Sequence, residues 1–181
     1  MKPVTSFTKF LPALLALCLT TCPVTGQPKS ELPKLDAVFD LHLEVGKPID
    51  VGRIGPAGMR RVVPVLGGTL EGSGLKGKIL PGADYQIIQP DGLTEIDAHY
   101  FVQMENGDLL YVTNRGIRHG PAEVIRKLNA GQQVDQTLIY FRTVVSIETA
   151  APALQWMTRT IFVCVGERLP NEAVIHVYRL N

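Results

Sequence analysis

The stretch VFDLHLEV (38–45) sets Phe39, Leu41, Leu43 and Val45 on one side of the chain and Asp40, His42 and Glu44 on the other. Such alternation demands a half-buried β-strand, because successive strand side chains leave opposite faces of a sheet. It aims His42 at solvent or at a cross-strand acid. Further β-branched or alternating segments follow at 60–80, 84–89, 95–104, 109–115, 137–149, 158–166 and 172–180. Turn residues separate them every ~8–15 residues. Gly67-Gly68 predicts a bulge or bend within the first of these segments. One segment alone reads as helical: in GPAEVIRKLNAG, Pro121 suits a first helical position and Gly131 a stop, giving a short helix around 121–129. Many strands, short connections and one short helix describe an all-β antiparallel barrel or sandwich.

The first 26 residues stand apart from this pattern. Lys2 and Lys9 flank the apolar run FLPALLALCL, and small residues follow in TTCPVTG. That order is a secretory signal, and the run is shorter than the ~20 apolar residues a spanning helix needs. Val24 and Gly26 place cleavage after Gly26, with 27–36 a polar linker and 37–181 the barrel domain. The protein is therefore expected to be secreted or periplasmic. A lipoprotein signal retaining Cys22 is the weaker alternative, because Thr21 fills a slot normally held by Gly, Ala or Ser. Mass spectrometry of exported protein is expected to find Gln27 first. An intact Met1 on cytosolic protein contradicts export, and a diacylglyceryl adduct on Cys22 selects the lipoprotein route.

Cleavage removes Lys2 and Lys9 and leaves the mature charge near −1. This argues against nucleic acid as a partner and against stable membrane association through a basic patch. A small-molecule ligand is the expected partner, and a homo-oligomer stays open. Cys164, inside TIFVCVG, reads as a buried structural thiol. GSGLKG (72–77) matches G-x-G-x-x-G, but Pro81 and Gly82 follow where a phosphate-binding loop must open a helix, so it is set aside. The histidines at 42, 99, 119 and 176 lack metal-ligand spacing, and no G-x-S-x-G elbow occurs. No metal or cofactor is expected.

In MENGDLL, Asn106-Gly107 predicts a two-residue hairpin loop. Met104 would then face Leu109, Phe101 would face Val112 and His99 would face Asn114. One sheet face would gather Asp97, His99, Phe101, Val112 and Asn114, a mixture suited to a pocket wall. Other polar residues lie beside large apolar ones: Asp84 in GKILPGADYQIIQP, Arg115, Arg118, Glu148 and Arg159, with Trp156 nearby. With only 19% charged residues, a cavity that orients a ligand accounts for them more economically than separate turns and caps.

The ordered set VGRIGPAGMRRVVPVLGGTLEGSGLKGKILPGADYQ, IDAHYFVQMENGDLLYVTNRGIR and YFR…ETAAPALQWMTRTIFV…VYRL resembles the bacterial and fungal family called domain of unknown function 3237, over nearly all of 37–181. The resemblance implies a single lipocalin-like antiparallel β-barrel with a central pocket and no settled activity. It implies site positions at Asp84 with Tyr85, Asn114, Gly116, Glu148, Trp156 and Arg159. The family pattern holds an arginine where this chain has His99, and an asparagine where it has Thr158.

The expected function is binding of a small apolar or aromatic molecule in the barrel. Tyr85, Asn114, Glu148, Trp156 and Arg159 would contact it. The alternative is a cofactor-free lyase, isomerase or hydratase. There Asp84 or His99 would exchange a proton while Arg159 or Asn114 steadies an oxyanion. Asp84, His99 and Arg159 are expected to converge on one cavity.

Overall fold

The computed structural model describes residues 32–181. The stretch read as a leader, its expected cleavage point and Cys22 lie outside them. The strands are β1 (Leu35–Val45), β2 (Ile49–Arg53), β3 (Met59–Gly72), β4 (Leu75–Ile79), β5 (Gly82–Ile88), β6 (Thr94–Met104), β7 (Leu109–His119), β8 (Tyr140–Glu148), β9 (Phe162–Arg168) and β10 (Glu172–Leu180), with helix α1 at Ala122–Asn129. β1 starts at Leu35, inside the stretch read as linker.

Every neighbouring pair is antiparallel, and the sheet closes on itself through β1, which pairs with β10 on one side and β3 on the other. β1 and β2 follow one another along β3, and β4 and β5 lie in turn between β3 and β6. Each broken pair acts as one stave, so the barrel has eight. An eight-strand barrel has an interior that side chains fill or that holds one small ligand.

Alternation then assigns the faces. Phe39, Leu41 and Leu43 on β1, Ile96, Tyr100 and Val102 on β6, and Phe141, Val145 and Ile147 on β8 point inward and are buried. His42 points outward and meets a cross-strand acid, Glu172, at 2.9 Å. His176 does the same with Asp40 at 2.8 Å. Cys164 is buried, and burial pushes its thiol up to about 12, so it is inert at neutral pH.

The predicted bend is present. β1 skips a residue of β3 between Glu44↔Gly67 and Val45↔Val65, and β3 changes partner there from β5 to β4. The hairpin that follows has positive φ at Ser73 and Gly74. GSGLKG is therefore a tight strand turn and not a helix start.

Two readings are corrected. The chain at 158–161 is not strand: a 3-10 helix spans Pro152–Arg159, and β9 begins at Phe162. Proline at its start and the spacing of buried Leu154 and Met157 account for it. The hairpin register is also shifted by one residue. Met104 accepts from Gly107 N–H at 2.9 Å and donates to Asp108 C=O at 2.8 Å, so the loop is Glu105-Asn106-Gly107. Only Gly107 takes positive φ, +89°. The Asn106 side chain instead accepts from the Asp108 N–H at 3.1 Å. This is the three-residue type I plus glycine loop, and a shift of one residue exchanges the faces of the whole strand. Ala98, not His99, therefore pairs with Asn114.

Candidate functional site

One end of the barrel is closed. The 3-10 helix buries Leu154 and Met157 in the core there, and Trp156 meets Phe162 edge-on at 6.0 Å between ring centres. The other end is open. The β1–β2 link (Gly46, Lys47, Pro48), the β9–β10 turn (Pro170, Asn171) and residues 128–131 at the end of α1 frame a chamber of about 450 Å³. Asp50, Arg61, Val63, Gln86, Arg118 and Arg168 complete its wall.

Below it lies an inner cavity of about 40 Å³ that shares Val63, Gln86, Arg118 and Arg168 with the chamber. Asp84, Tyr100 and Asn114 line it, among apolar neighbours such as Val65, Ile96 and Phe141. Its volume admits a few waters or a small group, because one water needs roughly 10–15 Å³ measured this way.

Strand geometry explains why these residues meet. On β5, Asp84 and Gln86 share the inward face, and Asp84 pairs with Val63 and Ala98, both buried. On β7, Asn114 and Arg118 share the inward face and are 2% and 3% exposed. Gln86 Nε2 donates to one Asp84 oxygen at 2.5 Å, and the Asp97 N–H donates to the other at 3.1 Å. Burial raises the Asp84 carboxyl above its ordinary range, outweighing those two bonds and the attraction of Arg118. Burial likewise lowers the Arg118 guanidinium to about 10; Asp84 offsets this in part, while Arg168 and Arg61 add to it. Burial raises the Tyr100 hydroxyl too, so it stays protonated.

The site is polar but incompletely bonded. Among the described residues, Gln86 Oε1, Tyr100 OH, Asn114 Oδ1 and Arg118 Nε are buried and make no hydrogen bond of good geometry, although the Asn114 side chain lies close enough to Tyr100 to act on its hydroxyl. Buried polar atoms are ordinarily paired, so four orphans around one cavity mark a place where water or a ligand completes the bonding.

Of the residues expected beside a cavity, Asp84, Asn114 and Arg118 line this one. The others do not. Tyr85, next in sequence to inward Asp84, must point outward; it is 46% exposed and meets the His99 ring edge-on at 6.2 Å. His99 lies on the outer face, with its ring nitrogens 2.7 Å from Tyr111 OH and 2.8 Å from Asp97 Oδ1. Asp97 in turn accepts from Arg115 at 2.8 Å. Glu148, Trp156 and Arg159 are exposed at the far end. β9 reaches the open end at Arg168, so Arg159 lies away from Asp84. The expected convergence of Asp84, His99 and Arg159 is thus replaced by Asp84 with Arg118. Gly116 packs with no room for a side chain: a Cβ there would lie 2.1 Å from the Arg142 carbonyl oxygen.

Gln86, Tyr100, Arg61 and Arg168 were not singled out from the sequence. Counting by twos from Asp84 reaches Gln86, and by fours from Asn114 reaches Arg118, which was noticed only as one of several scattered charges.

A family model described as a protein of unknown function, DUF3237, matches residues 33–180. The chain belongs to that family. A UPF0311 protein of Rhodopseudomonas palustris strain TIE-1 is 42% identical over 144 residues, covering 79% of this chain and 94% of the relative. One from Clostridium acetobutylicum is 37% identical over 147 residues, covering 81% and 93%. A crystal structure of a conserved protein of unknown function from R. palustris superposes with TM-score 0.79 at 38% identity, covering 84% of this chain and 99% of that one. A beta-barrel like protein from Acinetobacter baumannii superposes at 0.75 and 34% identity, covering 86% and 100%. A structure described as an enzyme from Penicillium herquei superposes at 0.64 with 16% identity, covering 86% and 99%, and shares the fold.

Proposed function

We propose that this barrel is exported and binds a small organic molecule in the chamber at its open end, with one group reaching the inner cavity beside Asp84. The observation that carries the reading is the set of four unpartnered buried polar atoms around that cavity. A chamber of about 450 Å³ falls within the ~300–1,000 Å³ usual for ligand sites. A purely apolar ligand fits poorly, because three arginines, a lysine and two acids face these spaces. A fragment screen read by protein-observed NMR tests the reading. Binders are expected to shift Gln86, Asn114 and the Val63 methyls and to leave the outer Tyr85–His99 patch unmoved; hits confined to the outer patch would contradict it.

The catalytic alternative keeps one supporting observation. A passive carboxylate paired with arginine would be lowered, whereas the Asp84 carboxyl is raised, as suits a proton donor or acceptor in a cofactor-free lyase, isomerase or hydratase. His99 leaves this role, because its ring is on the outside. The expected result is a ¹³C carboxyl titration of Asp84 with its midpoint above the ordinary aspartate range. The midpoint should rise further in Arg118→Met, since the nearby cation favours the charged acid. A midpoint at or below the ordinary range would remove the support for acid–base chemistry.

A further inference from the structure

The open chamber is lined by more cations than the acids beside it can satisfy. Lys47, Arg61, Arg118 and Arg168 line it; Asp50 faces it and Asp84 lies beneath. Arg61 occupies Asp50 with paired bonds of 2.6 and 3.0 Å. Both oxygens of Asp84 are occupied by Gln86 and the Asp97 N–H. Arg168 gives one Nη1 bond to the Glu172 carbonyl at 3.1 Å. The Arg118 side chain donates no hydrogen bond to protein among the described residues, and its one ring contact there is Phe141, with the guanidinium carbon 5.7 Å from the ring centre. Its Nε is buried without a partner.

A guanidinium in that position carries a desolvation penalty that a hydrogen-bonded anion would offset. Guanidinium also presents a planar fork that carboxylates match bidentately. We propose that the chamber is a site for a small organic carboxylate, gripped by Arg118 and Arg168 with its body against Val63, Pro48, Leu128 and Pro170. This rests on the small-molecule reading above and adds the ligand's chemical class. A single negative charge suits the site better than a phosphate dianion, because Asp84 below repels a second charge. Arg61, already held by Asp50, shapes the wall.

The test is calorimetric titration at fixed ionic strength with a panel of acetate, benzoate, phenylacetate and succinate, the matched neutral amides, and inorganic phosphate. NMR of Gln86 and the Arg118 Nε–H reports the location. The expected result is that at least one carboxylate shifts those signals and binds roughly 10–100-fold tighter than its amide, the range a charge-assisted hydrogen bond supplies. Arg118→Met should remove that advantage, and Arg168→Gln should reduce it. Circular dichroism checks that each variant is folded, and Arg168→Gln decides alone if Arg118→Met is not. Amides binding as tightly as carboxylates would overturn the anion assignment and leave small-molecule binding standing. Phosphate outcompeting every carboxylate would overturn the choice of carboxylate. A panel that moves no chamber signal, alongside a fragment screen that does, overturns the carboxylate proposal alone; silence in both overturns the two readings together.

Discussion

Gly68→Ala is expected to lower the unfolding free energy by about 2–6 kcal/mol. Two costs add. Gly68 holds φ at +136°, and an alanine kept there bears strain of order 1–3 kcal/mol. Its Cβ would also lie 1.9 Å from the His42 carbonyl oxygen, which forces β1 away and adds roughly the 1–3 kcal/mol of an overpacked site. β3 cannot yield easily at this point, because Gly68 pairs with Leu43 on one side and Ile79 on the other. Against a total stability of about 5–15 kcal/mol, the variant should be marginal. Gly107→Ala is the control: its φ is +89°, yet nothing lies within 4 Å of its Cβ, so only the strain remains. Urea unfolding of both variants measures the difference. Equal losses would mean that the close approach of β1 to β3 does not matter.

That contrast also shows what could be read from the residues. Gly67-Gly68 announced a bend, and the structure bends there, because no other residue tolerates two strands so close. Asn106-Gly107 announced a hairpin, and a hairpin forms, but its loop length depends on whether Asn106 adopts positive φ or uses its side chain to bond the Asp108 N–H. Those alternatives differ by little energy and by one residue of register, and one residue decides which face of β6 and β7 is buried. The shifted register moves Asn114 and Val112 from the face of His99 to that of Ala98 and Tyr100, the buried one, and leaves His99 outside. Tyr85 was misplaced for another reason: it cannot share an inward face with Asp84 on one strand. The 3-10 helix at Pro152–Arg159 went unread although Leu154 and Met157 carry a helical spacing. Arg118 was the least accessible, since arginine is almost never fully buried and nothing local marks this one. Its burial follows from closing the barrel.

Arg118→Met should therefore be the rare substitution that strengthens a fold while disabling its site, with a gain of about 1–3 kcal/mol at neutral pH. Burial lowers the guanidinium from its ordinary value to about 10, and at ~1.4 kcal/mol per unit the protonated arginine costs the native state about 3 kcal/mol. The direction follows from linkage. A base whose folded pKa is depressed binds fewer protons when native between the two values, so stability rises with pH only above about 10. Below that the full penalty persists, and methionine, of similar length and apolar, removes it. The loss of the Phe141 contact, about 1–2 kcal/mol when desolvated, sets the lower end of the range. Asp84 bears on the outcome as well. Without Arg118 its charged form has less support, and burial already holds its carboxyl above the ordinary range, so it can take up a proton more readily than a solvated aspartate and lessen the cost of an unpaired buried charge. Urea midpoints at pH 7 should rise for Arg118→Met with an unchanged slope, and the difference from the parent should shrink above about pH 10. A variant less stable than the parent at pH 7 would show that Arg118 is satisfied within the barrel, and the case for a cation held ready for a ligand would fall with it.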